Sequence, residues 1–557
     1  MSRPISDSIS RRTFLIRAGG MSLIAGTAGA LAAETWLAPS ADAASFGYSD
    51  DGTHYVVNTG ANLVFKVDHT NGDLTSLVYN SVEYQGYAGT NSQVESGLGT
   101  STVTIAQSGT VIVISVVHGT LHHYYVARSG ENNIYMFTNK ADDTVTATRY
   151  IVRHQPGLFP EDTPDSWLNA DTVIEAADIF EQADGTTRAK HYSNLRVIDY
   201  DYVGRANSTV GIWMVRSIHE KASGGPFYRS LLRHLNDSGG GIYEILYYGE
   251  NQTEAERFGL QGPYILAFTS GGAPSSTLYH ANLDTSWIDS LGLAGWVGAS
   301  GRGRVAGVGI SGMASGYAYT VGFANSAAQY WASASSSTGY YSCPNMLPGT
   351  YTQTVYKGEL AVWTGSVTVT AGAVSALNTI TITADPSDDA VIWRIGEWDG
   401  TTSGFKNAAQ VLSMHPSDPR LSAWTGSYAV GSAQAGFPCY QWNGVNNGLT
   451  VTFTLTAAQA AAAHTLRIGL TTAYLNGRPQ VTVNSWTSAI PSPATEPSTR
   501  SLTVGSYRGN NHTYTYAIPA TAFVTGTNTL TLNIVSGDSG TEYLSPGVAY
   551  DCLDLLA

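Results

Sequence analysis

Six lysines occur in 557 residues, and one of them, Lys190, sits in Thr187-Arg188-Ala189-Lys190-His191-Tyr192. Upstream, Arg149 and Arg153 stand four apart in Arg149-Tyr150-Ile151-Val152-Arg153. That spacing puts both side chains on one face of a strand as well as of a helix. Two guanidiniums on one face can hold a carboxylate bidentately. With Lys190 they make up the apparatus for β-elimination at an acidic sugar. A base removes the proton α to a carboxylate, and cations neutralise the enolate-like dianion that forms. A lysine serves as that base when neighbouring positive charge depresses its pKa, and Arg188 and the two clamp arginines would supply the charge. The competing reading of Lys190 is a solvated surface lysine.

The charge pattern bears on the same segment. The formal net charge is −14, yet between residues 185 and 235 the sign inverts. Arg188, Lys190, Arg196, Arg205, Arg216, Lys221, Arg229 and Arg233 stand there against Asp199, Asp201 and Glu220. A basic window in an acidic chain suits a local anionic ligand, while the bulk charge argues against a nucleic-acid partner. The alternative is that these cations pair with acids elsewhere in the fold.

The elements that must position these groups read as strands. The chain has 60 Gly and only 13% charged residues. Short alternating segments such as Leu63–Val67, Val103–Ile105, Val111–Val117 and Ile134–Phe137 are separated by turn residues, the pattern of an all-β protein. One short helix is expected at Ala457–Ala463, capped by Thr456. Three blocks follow: 44–290, a strand-dense region rich in Tyr, Arg and His; 291–384, a small fibronectin-like sandwich; and 390–557, suited to a jelly roll. A polar run at 384–389 reads as a linker.

Residues 1–43 read as an export signal. Ser10-Arg11-Arg12-Thr13-Phe14-Leu15 is a twin-arginine pattern, followed by an apolar stretch from Ala18 to Ala33 and by Ala41-Asp42-Ala43. The expectation is a secreted or periplasmic protein, exported folded by the twin-arginine pathway, with no membrane anchor. Cys343, Cys439 and Cys552 are few, odd in number and far apart, so they read as buried apolar residues rather than a disulfide framework.

The chain resembles the rhamnogalacturonan lyases of polysaccharide lyase family 4. The resemblance spans the mature chain. It rests on Ser96-Gly97-Leu98-Gly99, Thr187-Arg188-Ala189-Lys190, Gly262-Pro263-Tyr264, Pro348-Gly349-Thr350-Tyr351, Met414-His415-Pro416-Ser417-Asp418 and Tyr507-Arg508-Gly509, among other short segments in one order. It implies a catalytic β-sandwich, a fibronectin type III-like module and a jelly-roll domain. It also implies that Lys190 is catalytic, that Arg149, Arg153 and Arg500 bind substrate, and that Tyr247 lies near the cleft. Arg500 belongs to the third block, so that block should pack against the cleft. One departure stands out. The family's catalytic histidine is absent from Tyr247-Tyr248-Gly249-Glu250-Asn251-Gln252, where Glu250 is nearest in alignment, and a second family histidine is replaced by Gln261. The proton donor is then Tyr247, Tyr248, Glu250 or a relocated histidine (His191, His154 or His234), with His191 ranked below a tyrosine because it would point to the opposite face from Lys190.

The implied partner is a polysaccharide, rhamnogalacturonan I of pectin, acted on by a monomer with no nucleic acid or membrane involved. No cofactor is required for catalysis on this reading, because the cationic side chains would do the charge neutralisation that calcium does in other pectin lyases. A structural calcium in the third block is one reading of Glu397, Asp399, Asp551 and Asp554; ordinary surface acids are the other. Two further functions stay open: a pectin-binding protein without turnover, and a lyase on another rhamnose–uronate polymer. A hydrolase ranks third, because adjacent carboxylates such as Glu161 and Asp162 diverge on a strand.

Overall fold

Alternating burial along the strands decides which side of each sheet turns inward. Leu63–Asp68 and Val111–His118 bury every second side chain, as period-two patterning requires. The computed structural model describes residues 45–557 apart from 87–88, 144, 146–147, 156, 160–171, 176–178, 190–191, 232–240, 248–253, 412–413, 425, 493–498, 505 and 510. Lys190 and His191, and likewise Tyr248, Glu250 and His234, therefore lie outside the described residues, as does the twin-arginine segment.

The first region is built on a seven-stranded sheet in the order Tyr202–Ala206, Gly211–Arg216, Gly259–Thr269, Asn133–Lys140, Leu121–Arg128, Val111–His118, Thr102–Ser108. One face of it buries Tyr125, Met136, Met214 and Leu266. The same core takes Tyr150, Val152, Ile242 and Leu246 from a smaller sheet formed by Gly241–Tyr247, Thr148–Arg153 and Gln93–Val94. The other face of the large sheet, through Phe137, Val215 and Ile265, packs on Leu278, Ile288 and Leu293 of the segment that leads out of this region. A further three-stranded sheet, Thr172–Glu175, Ile179–Glu181 and Thr187–Ala189, carries the chain up to Lys190.

Three sheets, of three, two and four strands, follow around Val305, Val321, Phe323, Tyr351 and Val355, and two more sheets, each of five strands, around Trp442, Val451, Ile468, Leu532 and Leu553. The short helix forms over Ala457–Ala460, and Thr456 and Gln459 close a reciprocal capping box at its start. All three cysteines are free and buried. The polar run at 384–389 is pinned rather than loose: Lys357 Nζ meets the buried Asp385 carboxylate at 2.5 and 2.6 Å.

A buried carboxylate ties the three regions together. Glu359, from the second region, sits 3.2 Å from Arg196 and 3.2 Å from Arg229 of the first. It also accepts from the Tyr507 hydroxyl of the third at 3.0 Å. A carboxylate this deep is tolerable only with such partners around it.

Candidate active site

Arg149 and Arg153 do share a face. On strand Thr148–Arg153 they alternate with Tyr150 and Val152, which enter the core, and they flank Ile151. Across the ladder Arg149 pairs with Ile245, Ile151 with Tyr243 and Arg153 with Gly241. Directly opposed residues point the same way, so Tyr243 and Ile245 lie on the arginine face; beyond them the ladder slips between Thr148 and Arg149, and Tyr247 stands opposite Thr148 at the end of the pair. Ile151, Tyr243 and Ile245 form a small apolar patch between the two guanidiniums. The Arg153 guanidinium lies over the Tyr243 ring, 5.6 Å from its centroid, an attraction between cation and ring quadrupole.

Arg149 is held by Glu95. Its Nε is 2.8 Å from the carboxylate, and its terminal nitrogen donates to Ser96 Oγ at 3.0 Å. Glu95 has left-handed backbone, φ 54°, and its N–H donates to the Arg149 carbonyl at 2.8 Å. Backbone in this region is costly for a residue with a Cβ, and such positions gather at functional sites.

Tyr247 closes the same strand pair. It is half-buried. Burial first, then the charges of Glu256 and Asp143, raise its hydroxyl above the usual tyrosine value. It is therefore protonated at any physiological pH and able to give up a proton only to a developing oxyanion. Glu256 itself is fixed by the buried Lys140 at 2.7 Å and by Thr148 Oγ1 at 2.5 Å.

The sheet that leads to Lys190 is held from the third region. Asp418 Oδ2 accepts from the Thr187 N–H at 2.7 Å and from its hydroxyl at 2.9 Å. The His415 N–H donates to that hydroxyl at 2.9 Å, and Arg420 donates to the Thr187 carbonyl at 3.3 Å. Every polar atom of Thr187 is thus met by the 415–420 loop. On the far strand of the same sheet, Arg500 Nε is 3.0 Å from Glu175. Glu175, Ile179 and Ala189 form one cross-strand row, which puts Arg500's partner about 10 Å from the residue before Lys190.

Three family models match the chain in this same order. The N-terminal model of rhamnogalacturonan lyase B matches residues 46–295, polysaccharide lyase family 4 domain II matches 301–377, and domain III of that family matches 391–555. Rhamnogalacturonate lyase A of Aspergillus aculeatus is 42% identical, with 92% of this chain and 96% of that protein covered. The protein of the same name from Emericella nidulans is 40% identical over the same shares. The chain belongs to polysaccharide lyase family 4. The all-β architecture of a sandwich, a fibronectin-like module and a third β-domain is that of the family's three parts.

Within this family-4 chain, several sequence expectations need correction. Among the described cations of the basic window, several are held by ion pairs or hydrogen bonds within the fold rather than left to face a ligand. Arg216 meets Glu244 at 2.5 Å, both buried; Arg196 is paired with Asp199 and Glu359; Arg229 is paired with Glu359. Lys221 donates to the Ala327 carbonyl at 2.5 Å. His154 is no proton donor for the cleft. It follows Arg153 on the strand and so turns to the other side, where it is fully buried against Phe159. Gln261 is likewise buried.

The four acids weighed for calcium are engaged by protein donors. Asp554 takes Arg394, Arg467 and the Trp398 indole; Asp551 takes the Gly400 N–H; Glu397 takes the Tyr317 hydroxyl. Asp399 accepts from Thr401, and burial nonetheless lifts its carboxyl to about 6. Among the described residues no group of three or more His, Cys, Asp or Glu side chains is arranged to hold a metal. Sequence reasoning missed Glu95, Tyr243 and Asp418. Tyr243 was open to the strand-alternation argument; Glu95 and Asp418 come from segments remote from their partners.

Proposed function

We propose that this chain is an exported lyase that cleaves the rhamnose–galacturonate backbone of rhamnogalacturonan by β-elimination. The observation that carries this reading is the single sheet face shared by Arg149 and Arg153, with Tyr247 at the end of the partner strand, in a chain whose relatives are named rhamnogalacturonate lyases. The guanidiniums bind the uronate carboxylate and take up the charge that builds on it as the α-proton leaves. Lys190, in its neutral form, accepts that proton. The C–O bond at the β-carbon then breaks, a carbon–carbon double bond forms, and Tyr247 protonates the departing oxygen. Arg500 supports the opposite edge through Glu175. The arrangement asks no metal ion to polarise the carboxylate. The twin-arginine pattern in residues 1–43 supports export to the periplasm or beyond, where such a polymer is met.

Incubating the protein with rhamnogalacturonan and following the ultraviolet absorbance of an unsaturated uronate tests this. The wild-type chain should generate the chromophore and Lys190→Ala should not. New reducing ends without the chromophore would identify a hydrolase, and saccharide binding with no product a binding protein; either result overturns the lyase reading.

A further inference from the structure

A cavity of about 370 Å³ opens where the first and second regions meet. His219, Glu220 and Cys343 are buried in its floor, and Ala281, Pro344 and Asn345 stand exposed at its mouth. It is remote from the arginine face. The inner side of that small sheet packs on one face of the seven-stranded sheet, whereas the cavity draws His280 and Trp296 from the segment covering the other face. Layers about 10 Å thick put the two sites about 20 Å apart.

The cavity's charges are already spent. Arg302 is 2.5 Å from Glu220 and also donates to the Val297 and Asn345 carbonyls, and Tyr330 donates to the same carboxylate at 2.6 Å. His280 Nδ1 lies 2.6 Å from the Ser217 carbonyl and donates to it. Burial, then the charges of Arg216 and His280, hold His219 well below the usual histidine range, so it is neutral. His219 stacks on Trp331, ring centroids 5.3 Å apart, and its buried Nδ1 has no hydrogen-bond partner among the described residues. A buried ring nitrogen left unpaired is unfavourable, and an incoming hydroxyl relieves it. A pocket at a domain junction whose Arg302–Glu220 pair is closed, with apolar walls, indole rings and a few convergent polar groups, suits a small polar ligand that also has an apolar face.

We propose that this cavity is a second carbohydrate site, one that takes a neutral pyranose such as the rhamnose ring of the polymer, with Trp331 against the ring and the histidines on its hydroxyls. A uronate is disfavoured there, since its carboxylate would meet Glu220 and find no free cation. The proposal rests on the family's polysaccharide substrate and not on the elimination chemistry.

Calorimetric titration of the full chain with methyl α-L-rhamnopyranoside, and separately with galacturonate, tests it. The rhamnoside should bind, and should bind roughly 10-fold or more weakly to both His219→Phe and Ala281→Trp. Ala281 is at the exposed mouth, so its replacement blocks entry without disturbing the core. Binding should be unchanged in Arg149→Ala/Arg153→Ala, which disables the cleft. Absence of rhamnoside binding, loss of binding only in the arginine variant, or a preference of the cavity for galacturonate would each overturn the proposal. Lyase activity is a separate readout, so failure here leaves the elimination reading standing, and the reverse holds too.

Discussion

Arg149 and Arg153 differ in how they are held. Arg149 is locked to Glu95, while Arg153 rests on the Tyr243 ring. A substrate carboxylate must therefore share Arg149 with Glu95, and it gains most from a planar two-pronged donor. Arg149→Lys and Arg153→Lys keep the charge but lose that geometry. Each should lower kcat/KM by roughly 10²-fold, the scale of losing one charge-stabilising donor, in steady-state assays on the polymer. Tyr247→Phe removes the proposed proton donor with little change of shape. The expectation is a fall in kcat of roughly 10²-fold or more with KM little altered. An unchanged kcat would remove Tyr247 from the mechanism. Because Tyr247 titrates above the ordinary tyrosine value, the rise of activity with pH should follow deprotonation of the lysine, and no loss from Tyr247 should set in until beyond about pH 10.

At the scale of elements, the 415–420 loop acts on a strand more than two hundred positions away. The Thr187–Ala189 strand is short and sits at the edge of its sheet, so its own ladder does little to fix it. Asp418 and its neighbours supply what the ladder lacks. Asp418→Ala should leave the fold intact and lower kcat by roughly 10-fold or more, since small displacements of a reacting group are expensive in rate. Kinetics paired with a circular dichroism spectrum check this, and Asp418→Asn, which keeps one acceptor, should recover part of the loss. Burial pushes the Asp418 carboxyl up, but hydrogen bonds from Arg420 and Thr187 outweigh it and bring it down to about 2. Its folded value lies below its unfolded one. The contact is thus fully stabilising above about pH 4 and is lost as pH falls toward 2.

Across the whole molecule, polar groups sit deep between the layers. His123 hydrogen-bonds Thr138 in the first core, and burial drives it down to about 3. His415, buried behind the strand clamp, is driven down by burial to about 4, with Asp418 opposing. Both fold neutral. The unfolded chain takes up protons at these two rings below about pH 6.5 that the folded chain refuses, so their contribution to stability falls as pH drops from there. Thermal melts between about pH 7 and about pH 4 should show a midpoint that declines steadily, with a cost of several kcal/mol by the lower end. A flat midpoint over that range would mean the two rings are wetter than the structure shows. The Glu359 junction makes the three regions share this loss.

Much of this molecule was legible in the chain alone, because period-two patterning and turn residues act between neighbours. Alternation placed Arg149 and Arg153 on one face before any fold was known. Thr456 announced a helix start, and three scattered cysteines read as core. The basic window shows the limit. Its charges looked like a site, but Arg196 finds Glu359 at a separation of 163 residues and Arg229 finds the same carboxylate from 130 away. Nothing local encodes such partners; only the packing of one region on another selects them. For the same reason tertiary structure alone revealed Glu95 closing on Arg149, the 415–420 loop gripping Thr187, and a neutral cavity at the junction of two domains.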